Sequence, residues 1–289
     1  MKLNNNRLDA FYQVALDRNF SKAASNLCIT QSALSQRVLK LEQEIKTSLF
    51  VRSVDGVVLT ESGQLLFGYV RDIQEREIEA LNNVTGRSSA SNGIIRIATF
   101  SSILRSVVMP ALKPLMRKSD DVFVEFFSRE LRDLPPMLES GEVDFIIADD
   151  DVRTDNLISV SLGYETMVHI RSKDKVAIKS MTLPTCFLDH DAEDITTYQF
   201  FSEQGERDID IRRSFYDDAY GLLDGVKLGF GEAIISKHLV QNDSSVEIVE
   251  HQNAVSSKVI LYYQKDRFLS ILQKQVIETL ENNVSKYLK

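Results

Sequence analysis

Hydrophobic and polar positions recur with helical spacing through the first 60 residues. Apolar residues return every three or four positions over residues 8–19, which predicts a first helix. Ser21 is a suitable N-cap for a second helix, and Thr30 is one for a third helix that continues to about Ile45. Because only a short turn separates the second helix from the third, the pattern predicts a helix-turn-helix.

The third predicted helix has one apolar face and one polar face. Leu34, Val38 and Leu41 recur at a spacing that commits one face to a core. A step of about 100° per residue turns the other face toward solvent. The residues on that outer face are Ser32, Ser35, Gln36 and Leu39.

A hairpin and a long helix follow. Residues 49–51 and 57–59 predict two strands with Asp55–Gly56 at the turn, which is the wing of a winged fold. Thr60 can cap a helix whose apolar stripe extends to about residue 85. The neighbouring chain is too short to cover that stripe, so pairing with a second copy is favoured over packing within one domain.

Beyond a small, polar linker at residues 86–93, strands alternate with helices. The first predicted elements are strands at 93–98, 122–127 and 143–148, separated by helices at 103–117 and 130–140. This βαβαβ order is typical of a parallel sheet and of the α/β fold class. The later predicted elements are strands at 167–171, 185–188, 233–239, 246–249 and 259–263, and a last helix at 266–287.

The charge is unevenly divided along the chain. The total is −8, yet residues 1–62 carry eight basic and six acidic side chains, a net +2, which leaves −10 for the remainder. A mildly basic head on an acidic body fits DNA binding confined to one end, although charge alone does not decide it. Cys28 and Cys186 are too few for a disulfide framework, and no apolar run suits a membrane span. A cytoplasmic location is therefore expected.

The polar face of the third helix carries groups suited to DNA. Gln31 lies at the end of the helix that enters a major groove, and glutamine can pair bidentately with adenine. The hydroxyls of Ser32 and Ser35 can reach base edges or phosphates, and Leu39 can contact a thymine methyl group. Basic and polar groups suited to phosphate complete the predicted DNA-binding set, which is Thr30, Gln31, Ser32, Ser35, Gln36, Arg37, Lys40 and Arg52.

A run of motifs in this region resembles the LysR-type regulators. The match runs from Phe20–Ala24 through Leu41–Glu42 and continues with Leu49–Arg52 and Leu59–Gly63, in the family's order and over roughly the first 65 residues. Within the family, residues 27–38 look most like the branch that controls arginine and lysine export. The resemblance implies a sequence-specific transcriptional regulator that binds double-stranded DNA.

The resemblance also implies an architecture for the rest of the chain. It divides the chain into a winged helix-turn-helix at 1–61, a dimerisation helix and hinge at 62–92, and an effector-binding domain at 93–289. That domain is expected to have two lobes like a periplasmic binding protein, with lobe 1 at 93–162 plus 266–289 and lobe 2 at 163–265. The implied partners are a small-molecule co-inducer or co-repressor, such as an amino acid, a second copy in a homodimer, further copies in a homotetramer, and RNA polymerase.

Two positions depart from the family pattern. Lys46 stands where the family usually has glycine, at a position suited to the left-handed conformation, and lysine there would cost about 1 kcal/mol of strain or shift the turn. Asp55 stands where the wing usually carries a basic residue. The wing is therefore expected to bind phosphate more weakly, with Arg52 supplying the contact.

Several residues at the ends of strands are candidates for holding an effector. Ser101 and Ser102 open a helix after the first strand, where hydroxyl and N–H groups can bind a carboxylate, although simple N-capping explains them equally well. Asp149 follows a strand and can pair with a cationic effector or lie in a solvated loop. The full predicted effector set is Phe100, Ser101, Ser102, Ser128, Asp149, Phe201, Ser202 and Gly231.

Other classes of protein fit the sequence less well. The four histidines, His169, His190, His238 and His251, are scattered without a nucleophile or a metal-spaced partner in sequence, which argues against an enzyme or a metal cofactor. A solute-binding protein would have no use for residues 1–85. An architectural DNA-binding protein would have no use for the two-lobed body.

Overall fold

The computed structural model describes residues 5–53, 56–84, 93–117, 122–148, 152, 155–174, 186–206, 209 and 211–288. Three helices and a hairpin form its N-terminal part. The helices are α1 (Asn5–Asp17), α2 (Phe20–Asn26) and α3 (Gln31–Ile45), and the strands are β1 (Phe50–Ser53) and β2 (Gly56–Leu59). The predicted winged helix-turn-helix is therefore present.

The caps of α2 and α3 fix the turn between them. Thr30 Oγ1 accepts a hydrogen bond from the N–H of Ala33 at 3.2 Å, as predicted. The prediction that Ser21 caps α2 was wrong. Asn19 is the cap, because its Oδ1 atom accepts from the N–H groups of Ser21 and Lys22 at 2.9 and 3.0 Å.

Gly56 does not belong to the hairpin turn, contrary to the prediction of a turn at Asp55–Gly56. Gly56 pairs with Ser53 in the antiparallel ladder, so it is a strand residue and not part of the turn. Val54 and Asp55, including the predicted departure at Asp55, lie outside the described residues. Phe11, Leu41 and Leu49 are buried beneath the hairpin and close the N-terminal core.

The long helix α4 (Glu61–Val84) joins the two halves of the chain. Thr60 Oγ1 accepts from the N–H of Gly63 at 3.0 Å, which confirms the predicted cap. Val70 is buried against the core of the N-terminal domain. Large apolar side chains on the rest of α4 are exposed: Leu65, Tyr69, Ile73, Ile78, Leu81 and Val84.

A parallel sheet begins the second half, as the βαβαβ pattern predicts. Strand β3 (Gly93–Thr99) pairs in parallel with β4 (Val122–Ser128) and with β5 (Phe145–Ala148). Between β3 and β4 lie α5 (Ser101–Ile103), a π-helical turn (Leu104–Val108) and α6 (Met109–Met116), and between β4 and β5 lies α7 (Leu134–Glu139).

Two long antiparallel strands connect the lobes of this second half. Strand β6 (Leu157–Ser172) pairs through Met167 with the whole of β11 (Val255–Gln264), and the register shifts between Val259 and Ile260. Beyond that shift β6 pairs with β9 (Ala233–Ser236) and β10 (Val246–Val249) in a second lobe. The two lobes therefore share one continuous sheet.

The remaining elements complete each lobe. Lobe 2 adds β7 (Cys186–Asp189), α8 (Thr196–Glu203), β8 (Arg212–Phe215) and α9 (Ala219–Lys227). The chain returns to lobe 1 with α10 (Ile271–Asn283), which starts later than the predicted residue 266 because Ser270 forms the capping box. The sequence analysis did not predict α8, β8 or α9. In the part of the chain that is described, no helix has the length and apolar character needed to cross a membrane.

Candidate DNA-binding surface and effector cleft

The outward face of α3 matches the face predicted from the sequence. Gln31, Ser32, Ser35, Gln36 and Lys40 are exposed. Beside them the side chain of Leu39 is 52% exposed. Polar hydrogen-bonding groups surrounding one exposed leucine give a surface that can recognise base edges and a methyl group.

The side chains of two residues in the predicted DNA-binding set, Thr30 and Arg37, are less available to DNA than the others. The hydroxyl of Thr30 is occupied as the cap of α3 and also lies 3.1 Å from Ser32 Oγ. Arg37 is half-buried on the flank of the helix. Arg52 lies on β1 opposite Val57, but its side chain lies outside the described residues.

The wing is fixed to α3 by a residue that the sequence analysis missed. Glu42 Oε1 accepts a hydrogen bond from the N–H of Leu49 at 2.7 Å, just before β1. Lys46 lies between them in the left-handed conformation, with φ 56° and ψ 36°. The left-handed conformation expected at position 46 is therefore confirmed, and lysine adopts it without a shift out of that region.

A cleft of about 500 Å³ lies between the two lobes. Lobe 1 contributes the start of α5 and the segment after β4, while lobe 2 contributes the loop after β7 and strand β9. Its walls include Met167, Leu222, Ile234 and Ile235, so the base is apolar. A cavity of this size and character suits a small ligand.

Three of the predicted effector residues line this cleft: Phe100, Ser101 and Ser102. The hydroxyl of Ser101 donates to Asp218 Oδ1 at 2.9 Å across the lobes. Asp218 in turn caps α9 by accepting from the N–H groups of Tyr220 and Gly221 at 3.1 Å. Ser101 therefore has two roles: it lines the cleft, and it hydrogen-bonds lobe 1 to lobe 2.

The structure places the other predicted effector residues elsewhere. Phe201 is buried in an aromatic cluster of lobe 2, and Ser202 points outward on the same helix. Ser128 is exposed at the end of β4 and does not line the cleft. Gly231 packs under β7, where a Cβ atom would lie 2.3 Å from the carbonyl oxygen of Cys186. Asp149 lies outside the described residues.

Carboxylates dominate the polar part of the cleft. Glu130, Asp191, Glu193 and Asp194 line it together with His190, and no lysine or arginine is among the described lining residues. Asp194 Oδ2 accepts from the N–H of His190 at 3.0 Å, which shapes the loop.

Further contacts join the lobes behind the cleft. Ser106 Oγ lies 2.7 Å from His238 Nδ1, and His238 Nε2 lies 3.2 Å from Glu165 Oε2. The guanidinium of Arg105 stacks on Tyr220 at 3.7 Å from the ring centroid. Burial raises the pKa of Tyr220 above its usual value, so the phenol stays neutral there.

A winged helix-turn-helix followed by a long helix and a two-lobed cleft defines a class of ligand-responsive DNA-binding regulators. Family models give the same result: residues 5–64 match the bacterial regulatory helix-turn-helix proteins of the lysR family, and residues 88–285 match the LysR substrate-binding domain. The chain belongs to the LysR family. This confirms the predicted family and fold.

Curated relatives match parts of the chain. The regulator ArgP of Serratia proteamaculans is 38% identical over 112 residues, and PgrR of Escherichia coli is 29% identical over 118 residues. These matches cover 39% and 41% of this chain. They cover 37% and 40% of the two relatives, so this chain spans less than half of their length in each match.

Solved structures share the fold over nearly the whole chain. ArgP from Mycobacterium tuberculosis superimposes with a TM-score of 0.77 at 19% identity, covering 98% of both chains. LysG from Corynebacterium glutamicum, solved with bound effector Arg, superimposes with a TM-score of 0.69 at 17% identity, covering 98% of this chain and 99% of that one.

Proposed function

We propose that this chain is a sequence-specific transcriptional regulator whose DNA binding responds to a small molecule bound between the lobes. The observation that carries the proposal is the exposed polar face of α3 within a winged helix-turn-helix of the LysR family. Gln31, Ser32, Ser35 and Gln36 read base edges in the major groove. Arg37, Lys40 and Arg52 bind phosphate and set the register.

The DNA-binding function is tested by an electrophoretic assay with the duplex upstream of the chain's own gene. We expect Lys40→Ala to weaken binding to every duplex, because a phosphate contact is lost. Lys113→Ala removes an equally exposed charge on lobe 1 and is expected to leave binding unchanged. Failure of the wild-type chain to bind any duplex at low salt would refute the proposal.

The apolar side chains of α4 support a homodimer. Leu65, Tyr69, Ile73 and Val84 are between 37% and 85% exposed in the single chain. Pairing with the same helix of a second copy covers them and places two recognition helices about one turn of DNA apart. Contacts between effector domains then extend the dimer to a tetramer, which analytical ultracentrifugation would detect.

The chemistry of the cleft supports a cationic effector. Its described charged lining is Glu130, Asp191, Glu193 and Asp194, with His190 beside them. Carboxylates around an apolar base suit an aliphatic chain that ends in an ammonium or guanidinium group. An amino acid of this kind also provides a carboxylate for the N–H groups at the start of α5. LysG, which shares the fold, was solved with arginine as its effector.

Thermal-shift measurements with L-arginine, L-lysine and L-glutamate test the effector class. We expect the two cationic amino acids to raise the melting temperature with concentration, since a ligand that binds only the native state stabilises it. Glu130→Gln is expected to reduce that response, and Glu139→Gln, an exposed control on the same lobe, to preserve it. Stabilisation by L-glutamate alone would contradict the assignment.

The remaining parts of the proposal follow from the regulator role. The chain divides at 1–61, 62–92 and 93–289, and it acts in the cytoplasm without a cofactor beyond the effector. RNA polymerase is a further partner in this proposal. Regulation, and not catalysis, is the proposed activity, in keeping with the LysR family.

A further inference from the structure

A group of charged side chains is buried where α4 meets lobe 1. Arg71 and Glu75 lie on α4, Asp144 precedes β5, and Arg267 follows β11. We call these four residues the ionic joint. The side chains of Arg71, Asp144 and Arg267 are 3%, 1% and 4% exposed. Burying several charged side chains side by side costs desolvation free energy unless each charge has a partner. The partners of these four side chains therefore determine that cost.

Asp144 is the centre of the joint within lobe 1. Its carboxylate accepts hydrogen bonds from Arg267 Nη2 at 2.9 Å, from Gln273 Nε2 at 3.0 Å and from the N–H of Arg96 at 2.7 Å. Arg71 approaches from α4, with Nη2 3.5 Å from Asp144 Oδ1. One carboxylate thus ties β3, β5 and α10 to the helix that carries the N-terminal domain.

The α4 side of the joint is incompletely paired. Within the described part of the chain, the Nε, Nη1 and Nη2 atoms of Arg71 and the Oε2 atom of Glu75 are buried without a hydrogen-bond partner. Glu75 Oε1 lies 3.7 Å from Arg267 Nη2, which is an ion pair and not a hydrogen bond. Asp72 on α4 provides a hydrogen bond across the contact, because its Oδ1 accepts from Arg267 Nε at 3.2 Å. The contact that Arg71 and Glu75 make with lobe 1 is therefore the weaker part of the joint.

The helix nevertheless packs closely on lobe 1. A Cβ atom at Gly141 would lie 3.5 Å from the Cα atom of Gly68 and 3.6 Å from Arg71 Nη2. Arg76 stacks on Phe268 at 4.4 Å, next to Arg267. Opening this contact would therefore move α4 and expose the joint to water.

We propose that the ionic joint is a proton-linked lock, in which Glu75 takes up a proton when α4 closes on lobe 1 and releases it when the two separate. Protonation removes a negative charge from a cluster that otherwise holds three carboxylates against two guanidinium groups, counting Asp72. Because α4 continues into the winged helix-turn-helix, the lock sets how firmly the N-terminal domain is held against lobe 1.

The surroundings of Glu75 agree with a proton taken up on closure. Burial, followed by the negative charge of Asp144, raises the pKa of Glu75 from 4.5 to about 7. Asp72 on the same helix acts in the same direction, while Arg71 and Arg267 oppose it. From α1, Tyr12 also lies within the field of the cluster, and burial raises its pKa, so it stays neutral.

The sign of the pH dependence follows from the raised pKa. Closure is strongest below the ordinary pKa of a glutamate and weakens as pH rises toward about 7, because the closed state then loses its extra proton. The closing equilibrium falls by up to about tenfold per pH unit in this interval and is level above it.

Hydrogen–deuterium exchange of residues 61–84 in the full-length chain tests the lock between pH 5 and 8. After correction for intrinsic exchange, we expect opening of α4 to rise up to about tenfold per pH unit and to level off near pH 7. Glu75→Gln is expected to abolish that rise, since the amide mimics the protonated carboxyl. Glu77→Gln, an exposed neighbour on the same helix, is expected to keep it.

A second variant provides a readout that does not depend on Glu75→Gln folding. Asp72→Asn removes a negative charge that favours protonation of Glu75, so the midpoint of the rise is expected at lower pH. An unchanged midpoint in this variant would overturn the proposal, as would the wild-type slope persisting in Glu75→Gln. None of these measurements requires DNA or an effector, so failure of the lock is distinguishable from failure of the proposed regulator function.

Discussion

In the proposed function, single residues on α3 would decide how much base sequence the chain distinguishes. Gln31 is exposed at the start of the helix, where its amide can face a base edge, and the N–H groups of the first turn lie beside it. Arg37 and Lys40 lie further along the same helix, and in this proposal they contact phosphate without discriminating between bases. Sequence preference would then depend on a few polar side chains.

Replacing Gln31 tests whether this residue contacts a base while Arg37 and Lys40 contact phosphate. We expect Gln31→Ala to lose about 1–3 kcal/mol of specific binding and to relax the preference at one base pair. Competition assays with single-base operator variants measure both effects. Gln241→Ala, an equally exposed glutamine on lobe 2, is the matched control. Unchanged sequence preference in Gln31→Ala would show that this residue does not read a base.

The backbone of Lys46 is strained at the point where the chain leaves α3 toward the wing. It adopts φ 56° and ψ 36°, a conformation that glycine occupies more readily than lysine. We expect Lys46→Gly to raise the free energy of unfolding by about 1 kcal/mol in urea titrations. Lys40→Gly within the same helix should lower it by a similar amount. A loss of stability in both variants would contradict the strain at position 46.

At the scale of elements, the sequence predicted those with strong periodic patterns. Strands β3, β4 and β5 are short apolar runs separated by the helices predicted at 103–117 and 130–140, whereas only residues 167–171 of the long strand β6 were predicted. Residues 196–227 contain α8, β8 and α9, and these mix aromatic, acidic and small residues without a clear period. Their packing against β7 and β9 determines them, and such contacts are not visible in a local window.

Some residues of the two candidate sites could likewise be predicted from the sequence, and others could not. The polar face of α3 follows from helical geometry, so the sequence alone identifies it. The cleft joins segments far apart in the chain, such as Ser101 and Asp218 at 2.9 Å, and only the tertiary fold brings them together. His190 and its acidic neighbours were visible in sequence, but their position on the cleft was not.

Adding a side chain at two glycines, Gly231 and Gly68, should change the stability of the chain in opposite directions. Gly231 has no room for a side chain, because a Cβ atom would meet the Cys186 carbonyl at 2.3 Å, whereas a Cβ atom at Gly68 would meet nothing within 4 Å. We expect Gly231→Ala to destabilise the chain by about 1–3 kcal/mol. Gly68→Ala in the interior of α4 should stabilise it by about 0.5–1 kcal/mol. Chemical denaturation measures both, and equal effects would rule out this explanation.

For the whole molecule, the distribution of charge governs the encounter with DNA. A net +2 on residues 1–62 faces a net −10 on the remainder, so the effector domain is repelled by the duplex that the N-terminal domain binds. Rising salt weakens the phosphate contacts of the N-terminal domain, so affinity should fall with ionic strength, while the same salt screens the repulsion of the remainder.

The wing provides a direct measurement of this dependence. We expect Arg52→Ala to weaken binding to all duplexes and to reduce the slope of log affinity against log salt by about 1. Arg117→Ala, exposed on lobe 1, is the control. If Arg52→Ala altered sequence preference and left the slope intact, Arg52 would be a base-reading residue and not a phosphate contact.

The return of α10 to lobe 1 has a consequence for biosynthesis. The core of lobe 1 combines Ile95, Ile97 and Phe145 with Leu272, Val276, Leu280, Val284 and Leu288 near the end of the chain. The core of the winged domain, in contrast, lies between Leu8 and Val70. A nascent polypeptide can therefore fold its DNA-binding domain well before α10 is synthesised, and a premature stop within α10 would remove part of the core on which the effector domain depends.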